Sequence, residues 1–335
     1  MLDDVNERER PVGILIGLGE VTVSSRSISV VIATFNRGQQ IGRTLESVLH
    51  QVRPVSEIIV SDDGSTDETP GWIRAHYPMV RVVTFPNAGT STARNRGADA
   101  ATGHVLVFLD HDDELLPHAI ETLEGLLSRF PSVGAAFADH TFRENATQRY
   151  FEDHHTQVPF FHRLRRVPTV VSEGPDRVYG RPLHDALLRG NVLQQPWAIY
   201  RRTFNELGGF DAAIKYCEDW DMYLRVTERV KVAVSDRIVS NHYVEDANLH
   251  RAQGQEVQHM KVLRKHLQRN GWTHPRAQMV LRKRLAGYYK AAGDRSRAEQ
   301  LPKAWDEYLA SLKCWPFDPV VAARTVLWAP LWGRS

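Results

Sequence analysis

The sequence predicts an α/β fold in which helices flank a mostly parallel sheet, followed by a C-terminal α-helical extension. The first observation is a set of short runs of β-branched and other apolar residues, which are typical of strands buried on both faces of a parallel sheet. The second is helical spacing of apolar residues between those runs. The third is size, because 335 residues of which 42% are hydrophobic can bury a sizeable core.

Five apolar runs in the first part of the chain are predicted to be strands. They are Ile28–Thr34, Glu57–Ser61, Val80–Phe85, His104–Leu109 and Val133–Ala138. Helices are predicted between them, since Ile41, Leu45 and Val48 share one helical face and Ile120, Leu123 and Leu127 share another. Strands that alternate with helices favour a parallel sheet.

The charge of the chain is divided between two regions. The net charge is +2, but residues 251–335 carry 16 lysines and arginines against 6 acidic residues, whereas residues 1–250 carry 26 against 34. The basic region has the spacing of two or three helices, interrupted at Asn270-Gly271 and Gly293-Asp294. An acidic body and a basic extension are expected to attract different partners.

Cysteine content and hydropathy indicate the compartment. Two cysteines, Cys217 and Cys314, cannot form a disulfide framework or a four-cysteine zinc site. No run approaches the roughly 18 apolar residues of a membrane span, and the acidic N-terminus is unlike a secretory signal. We expect a cytoplasmic protein, with peripheral attachment to the inner face of the membrane as a further expectation.

Polar loops follow the predicted strands, and ligands of such sheets bind at the carboxyl ends of the strands. The loops are Thr34–Arg37, Asp62–Asp67, Asn87–Gly89 and Asp110–Asp113. Clustered carboxylates are typical ligands of hard divalent cations, although solvated turns and helix caps use the same residues. Because two acidic loops leave the same edge of one sheet, a binding site is favoured.

Glu218 and Asp219 begin a further predicted helix, where the helix dipole favours carboxylates whatever their function. The same dipole is expected to keep Asp219 ionised at neutral pH, as a proton-abstracting base must be. Cys217 beside them is predicted to be a packing residue rather than a reactive thiol.

In order and spacing, these motifs resemble the inverting family-2 glycosyltransferases of GT-A fold, a Rossmann-like α/β fold. The resemblance covers roughly residues 28–245 and is carried by Val31–Asn36, Ser61–Asp67, Asn87–Gly89 with Ala93–Asn95, Phe108–Asp113, and Glu218-Asp219. It implies a GT-A catalytic domain at residues 27–250. Outside the resemblance, the mixed composition of residues 1–26 predicts a flexible leader, and the spacing in residues 251–335 predicts a basic helical extension. Within the catalytic domain, residues 27–138 would bind the nucleotide sugar and residues 139–250 the acceptor.

The resemblance implies roles for individual residues in binding the donor, a nucleoside-diphosphate sugar that carries UDP or dTDP. Asp62 or Asp63 would accept a hydrogen bond from the base, and Arg94 would support the nucleotide or its phosphates. Trp197 is a candidate to stack on an acceptor sugar, with a core tryptophan as the alternative. The substrate-binding set is Thr34, Phe35, Asn36, Arg37, Asp62, Asp63, Arg94, Asp110, His111, Glu218 and Trp197.

The resemblance also implies a metal cofactor and a base. Asp110 would lie near the ribose, and Asp112 would hold Mg²⁺ or Mn²⁺ on the diphosphate. His242 falls where some relatives place a residue near the metal, although a histidine satisfied by backbone is equally compatible with the sequence. Asp219 would remove the proton of the acceptor hydroxyl, and a single in-line displacement inverts the anomeric carbon.

Other functions were weighed against this one. The Gly-x-Gly-x-x-Gly pattern of a dinucleotide-binding oxidoreductase is missing, because Thr22 stands where the third glycine is needed. A sugar-nucleotide pyrophosphorylase-like enzyme and an inactive sugar-nucleotide binding module stay open. Nucleic acid is not an expected partner, since the aromatic residues of the extension suit helix packing or an anionic membrane surface. The expected acceptor is a glycan or lipid-linked glycan of surface polysaccharide or glycolipid synthesis, near a loop with His154, His155 and His162.

Overall fold

The computed structural model describes residues 26–144, 164–244, 255–268, 275–299, 303–322 and 325. The predicted leader, apart from Arg26, and the loop with His154, His155 and His162 lie outside these residues.

The first half alternates strands and helices as predicted. Its strands are β1 (Ile28–Thr34), β2 (Glu57–Asp62), β3 (Arg81–Thr84), β4 (Val105–Asp110), the short β5 (Glu114–Leu115) and β6 (Val133–Glu144). Its helices are α1 (Gly42–Leu49), α2 (Thr69–His76), α3 (Thr90–Ala100) and α4 (Ala119–Arg129), and a 3-10 turn at Gly38–Ile41 precedes α1. The strand β6 is six residues longer than the apolar run Val133–Ala138, because it continues as the partner of a later strand.

The second half mixes short elements with longer ones. Its strands are β7 (Val171–Glu173), β8 (Asp176–Tyr179), β9 (Trp197–Tyr200) and β10 (Lys231–Val244). Its helices are α5 (Arg181–Leu187), α6 (Arg201–Glu206) and α7 (Glu218–Arg229), and α7 begins where the sequence predicts a helix. The extension forms α8 (Gln255–Gln268), α9 (Pro275–Ala298) and α10 (Ala304–Cys314).

The described strands form one sheet in the order β3-β2-β1-β4-β9-β6-β10-β8-β7, with β5 paired to β10. The pairs that β1 makes with β2 and β4 are parallel, as is the pair of β2 and β3. Strand β9 runs antiparallel to both of its neighbours, and β8 runs antiparallel to β10. The predicted α/β class is confirmed, with its parallel part at β1–β4 and a mixed sheet beyond.

Two apolar cores cover the two faces of the sheet. On one face, Val30 and Ile32 of β1 pack with α1, α2 and α4. On the other face, Val31 of β1 packs with α3, α5, α7 and the extension helices α8 and α9. The extension therefore shares the core of the sheet instead of forming a separate unit.

Trp197 is part of this second core, so its candidacy as an acceptor-stacking residue is wrong. Its side chain is 0% exposed. The indole ring stacks between Phe108, at 5.4 Å between ring centroids, and Phe137, at 5.5 Å. Burial of an aromatic ring among other rings on both sides stabilises the core, and it leaves no face on which a sugar could lie.

Polar contacts to the carboxylate of Asp221 connect helix α8 to helix α7. Asp221 of α7 is fully buried, and Lys265 of α8 approaches its carboxylate to 2.8 Å. His266 of α8 lies 3.0 Å from the same carboxylate, and Arg225 of α7 lies at 2.8 Å. A buried carboxylate is costly unless cations surround it, so α7 depends on α8. None of the helices among the described residues is long and apolar enough to cross a membrane.

Candidate active site

The loops after β1 and β2 are joined by hydrogen bonds of short polar side chains. The backbone N–H of Asn36 donates to the Ser65 hydroxyl at 2.8 Å, and the side-chain Oδ1 of Asn36 accepts from the backbone N–H of Thr66 at 2.8 Å. Asp62 is buried at the end of β2 and accepts hydrogen bonds from the backbone and hydroxyl of Ser65. The two loops therefore form one wall at the carboxyl edge of the sheet.

Asp63 connects this wall to the loop after β3. Its two carboxylate oxygens accept the backbone N–H groups of Ala88, at 2.9 Å, and Gly89, at 2.8 Å. Gly64 has a φ of +78°, and a Cβ there would lie 2.9 Å from the carbonyl oxygen of Phe85. Only glycine fits such a position without strain. The carboxylates of Asp62 and Asp63 thus brace the loops. Asp62 Oδ1 accepts two hydrogen bonds from Ser65, whereas each oxygen of Asp63 accepts one from the backbone and keeps a further lone pair for a ligand.

Phe35 and Arg37 follow β1, and both are placed for contact with a ligand. The Phe35 side chain is 41% exposed at the sheet edge, as a residue that stacks on a nucleotide base must be. Arg37 Nε donates to His111 Nε2 at 2.5 Å, so this nitrogen of His111 is an acceptor. Burial lowers the pKa of His111 and keeps its ring neutral. Thr34 is buried, and its hydroxyl has no hydrogen-bond partner among the described residues.

Arg94 of α3 lies between carboxylates from two halves of the fold. Its Nη2 lies 2.5 Å from Asp110 at the end of β4, and its Nη1 lies 2.6 Å from Glu218 at the start of α7. Burial opposes the charge of Arg94, but the two carboxylates outweigh it and raise the pKa of the guanidinium. The same ion pair lowers the pKa of Asp110 against the effect of burial. Both terminal nitrogens of Arg94 are thus paired with carboxylates, whereas the family resemblance implied contact with the nucleotide or its phosphates.

A close contact between α3 and the sheet places Arg94. Gly97, one turn further along α3, faces Val31 of β1 so closely that a Cβ would lie 2.5 Å from a methyl group of Val31. The neighbouring Asn95 holds the backbone of Phe210 through two hydrogen bonds of 2.8 Å. Helix α3 is therefore fixed both to the sheet and to the loop that leads to α7.

Asp219 occupies the first turn of α7, next to Glu218. Burial and the neighbouring charge of Glu218 raise the pKa of Asp219 to about 7, and the backbone N–H of Trp220 and the charge of Arg94 oppose that rise only in part. The expectation that the helix dipole keeps Asp219 fully ionised is therefore wrong, because burial is the larger effect. A carboxylate with a pKa near neutrality is a stronger base than an ordinary aspartate.

Two neighbours of Asp219 complete its surroundings. Asn191, in the loop after α5, donates from Nδ2 to Asp219 Oδ2 at 2.9 Å. Sequence reasoning missed Asn191, because it lies 28 residues from Asp219 in an irregular segment. Burial and the charge of Asp219 raise the pKa of the Cys217 thiol to about 12. This supports the prediction that Cys217 is not a reactive thiol.

The acidic residues after β4 form a turn rather than a continued strand. The backbone N–H of Asp113 donates to the carbonyl of Asp110 at 3.2 Å. Thr44 of α1 fixes the turn, since its hydroxyl lies 2.8 Å from the carbonyl oxygen of His111 and 2.7 Å from that of Asp113. Asp112 stays accessible, with 41% of its side chain exposed.

Asp113 and His242 meet beneath the turn, and the sequence did not single out Asp113. Asp113 Oδ2 lies 3.3 Å from His242 Nδ1, while His242 Nε2 donates to the carbonyl of Gln195 at 2.6 Å. Burial, together with the charges of Asp110 and Asp112, holds the pKa of Asp113 well above its usual range. Burial lowers the pKa of His242. A neutral imidazole whose Nε2–H is held by a carbonyl turns the lone pair of Nδ1 toward the acidic turn.

These residues have the chemistry of a divalent-cation site, although no three of the described histidine, cysteine and acidic side chains are already gathered as a complete ligand set. The carboxylates of Asp110, Asp112 and Asp113 repel one another, so a nearby cation would stabilise them. The neutral ring of His242 offers a nitrogen lone pair as a further ligand. Mg²⁺ binds through one or two carboxylates plus phosphate oxygens of the substrate. The residues present therefore fit such an ion together with a diphosphate.

Comparisons with known proteins point to one family. Residues 29–177 match Glycosyl transferase family 2. An uncharacterized glycosyltransferase of Escherichia coli K12, YibD, is 40% identical over 125 residues, which are 36% of this chain and 36% of that protein. Chondroitin synthase of Escherichia coli is 26% identical over 73% of this chain and 33% of its own length. The chain thus spans about a third of the length of both relatives.

Two solved structures of similar fold contain nucleotide sugars. Staphylococcus aureus TarS, residues 1–349 in complex with UDP-GlcNAc, superimposes with a TM-score of 0.63 at 14% identity, over 89% of this chain and 83% of that one. A mannosyltransferase from Pyrobaculum calidifontis, in complex with GDP-Man and Mn²⁺, gives a TM-score of 0.55 at 17% identity, over 92% and 81%. At these identities the likeness shows the fold, and it supports the GT-A type implied by the sequence.

The pKa of Asp219 provides the first test of the site. Glu218→Gln removes the like charge beside Asp219 and releases Arg94 from one of its two carboxylates, and both changes favour ionised Asp219. We expect the pKa of Asp219 to fall from about 7 toward that of an ordinary aspartate, as followed by ¹³C NMR of its carboxyl carbon. Glu121→Gln is the matched control, an exposed first-turn glutamate in α4. An unchanged titration of Asp219 in Glu218→Gln would contradict this electrostatic account.

Proposed function

We propose that this chain, whose residues 29–177 form a glycosyl transferase family 2 domain, transfers a sugar from a UDP- or dTDP-linked donor to an acceptor hydroxyl with inversion. The observation that carries the proposal is the position of Asp219. A half-buried carboxylate with a pKa of about 7 lies next to Glu218 in the first turn of α7, and Arg94 joins Glu218 to Asp110 of the acidic turn.

The donor pocket is assigned to the loops after β1 and β2. Phe35 offers an exposed ring for the base, and Asn36 and Arg37 lie on either side of the path to the acidic turn. Asp62 and Asp63 keep lone pairs for the N3–H of uracil or thymine. Asp110 is near the ribose, and its pairing with Arg94 keeps it ionised as an acceptor for sugar hydroxyls.

The reaction is a single displacement. Asp219 accepts the proton of the acceptor hydroxyl while that oxygen bonds to the anomeric carbon of the donor sugar. The bond between that carbon and the diphosphate oxygen breaks at the same time, and the electron pair leaves with the nucleoside diphosphate. Because attack and departure take place on opposite faces, the anomeric configuration inverts. Asp110, Asp112 and His242 would hold Mg²⁺ or Mn²⁺, which would supply positive charge for the departing diphosphate.

A role in the synthesis of a surface polysaccharide or glycolipid is the proposed setting. Chondroitin synthase is similar over 73% of this chain, and the TarS complex contains UDP-GlcNAc. These similarities support a glycan or lipid-linked glycan as acceptor.

The activity is tested by incubating the protein with UDP- and dTDP-sugars and glycan acceptors, and by measuring release of nucleoside diphosphate. We expect turnover with at least one donor, and an anomeric configuration in the NMR spectrum of the product opposite to that of the donor. Asp219→Asn should lower kcat by about 10²–10⁴, the usual contribution of a positioned base. Asp99→Asn, an exposed aspartate on α3, should leave kcat unchanged. Wild-type kcat in Asp219→Asn would refute the assignment of the base.

Metal binding is tested on Asp112. Asp112→Asn keeps the size of the side chain but removes one charge from the acidic turn, so Mn²⁺ should bind at least about tenfold more weakly in the presence of UDP. Isothermal titration calorimetry measures this change. Asp185→Asn, half-exposed on α5, is the control for loss of one aspartate elsewhere. Equal Mn²⁺ affinity in the wild type and Asp112→Asn would exclude Asp112 as a ligand.

Attachment to an anionic membrane surface is proposed through the turn that follows α10. Phe317 is 76% exposed and packs edge-on against Trp315, and Lys283 of α9 lies 6.0 Å from the centre of the Trp315 ring. Exposed aromatic residues beside lysines are typical of surfaces that enter the headgroup region of a bilayer. Residues 251–335 carry ten more basic than acidic residues, which adds long-range attraction to anionic lipid.

The membrane proposal is tested by sedimentation with phosphatidylglycerol vesicles. Phe317→Ser should weaken partitioning by about tenfold, since an inserted phenylalanine contributes about 1.5 kcal/mol or more. Met79→Ser, which removes an equally exposed apolar side chain from the loop before β3, should bind as the wild type does. Equal binding of Phe317→Ser and the wild type would place the lipid contact elsewhere or exclude it.

A further inference from the structure

We propose that Asn191 is a positioning residue that orients the carboxylate of Asp219, through its hydrogen bond to Oδ2, for accepting the proton of the acceptor hydroxyl. The inference rests on the proposed function of Asp219 as the base, and it adds a residue that neither the motifs nor the family resemblance identifies.

The orientation of the Asn191 amide follows from its two contacts. Its Nδ2 donates to Asp219 Oδ2 at 2.9 Å, and its Oδ1 accepts the backbone N–H of Leu193 at 3.3 Å. Reversing the amide would set an oxygen against the carboxylate and an N–H group against a backbone N–H group. The amide is therefore held in one orientation, with its donor toward Asp219.

The loop that carries Asn191 is itself fixed. It begins after α5, where the indole N–H of Trp220 in α7 donates to the carbonyl of Leu187 at 2.9 Å. Arg284 of α9 donates to the carbonyl of Leu188 at 2.8 Å. Val192 is buried directly after Asn191. Contacts to two different helices thus set the distance between Asn191 and Asp219.

Other groups that face Asp219 cannot fix its orientation in the same way. Glu218 and Asp110 repel its charge. Burial and the charge of Asp219 raise the pKa of Tyr223 and of Cys217, so neither side chain is a cation that could hold the carboxylate. Arg94 is the facing cation, and its two terminal nitrogens are paired with Asp110 and Glu218. Among the described residues, the side-chain hydrogen bond recorded for Asp219 comes from Asn191. That hydrogen bond engages Oδ2, and the backbone N–H of Trp220 is the further donor to this carboxylate.

Loss of this donor should have two consequences. The carboxylate of Asp219 gains rotational freedom, and small misplacements of a reacting group cost up to about 10²-fold in rate. The ionised form also loses a hydrogen bond, which raises the pKa of Asp219 further above its present value of about 7. Activity that requires ionised Asp219 would then begin at higher pH than in the wild type.

The experiment compares the wild type with Asn191→Ala, Asn191→Asp and the exposed control Asn205→Ala. For Asn191→Ala we expect kcat to fall about 10–100-fold with the donor KM within twofold of wild type, and the acid limb of the kcat profile to move to higher pH. Asn191→Asp keeps the shape but sets a like charge against Asp219, so its acid limb should move further. Asn205→Ala should match the wild type.

A second measurement separates this inference from the proposed function. The carboxyl carbon of Asp219 is titrated by ¹³C NMR in the free proteins, which requires no turnover. If Asn191→Ala and Asn191→Asp keep the wild-type titration of Asp219 and the wild-type kcat, the positioning role is overturned. If Asp219→Asn retains full activity, the proposed function of Asp219 fails instead, whatever the titrations show.

Discussion

The buried ion pairs of Arg94 are the interaction on which the candidate site depends. One guanidinium joins Asp110, from the parallel half of the sheet, to Glu218, from the mixed half. Without a cation between them, two carboxylates from separate elements would repel each other in a poorly solvated space. Helix α3, which carries Arg94, is in turn packed on β1 through Gly97 and tied through Asn95 to the loop before α7. The ion pairs of Arg94 therefore hold α3, β4 and α7 together at the candidate site.

Local patterns predicted the elements of the first half because β1, β2 and β4 are buried on both faces and each polar loop begins where its apolar run ends. The same patterns located Asp110, Asp112 and Asp219 correctly at the carboxyl edge. They failed for Trp197, since a tryptophan before a strand has the same local sequence whether it is buried or exposed. They also failed for Asp113, because nothing along the chain distinguishes it from its acidic neighbours before β10 places His242 beneath it.

The ionisation of Asp219 shows the limit of local reasoning in physical terms. The helix dipole is a property of the helix end, and the sequence reveals it. Burial under the surrounding elements and the approach of Glu218 are properties of the folded molecule, and here they are the larger effects. Asn191 is a similar case, because its contact with Asp219 joins an irregular loop to a helix. The composition of the basic extension likewise does not reveal which of its charges are paired. Lys265, for example, forms an ion pair with the buried carboxylate of Asp221.

The contacts of Asp221 with Arg225, Lys265 and His266 have a consequence for the order in which these partners are synthesised. Lys265 and His266, the partners of Asp221 on α8, lie 44 and 45 residues after Asp221 in the chain. When α7 leaves the ribosome, Arg225 is the one of these three partners of Asp221 that is already synthesised. The helix that carries Asp219 is therefore neutralised fully only after α8 has emerged and docked. A nascent chain therefore contains every strand of the described sheet before it contains the partners of Asp221 on α8.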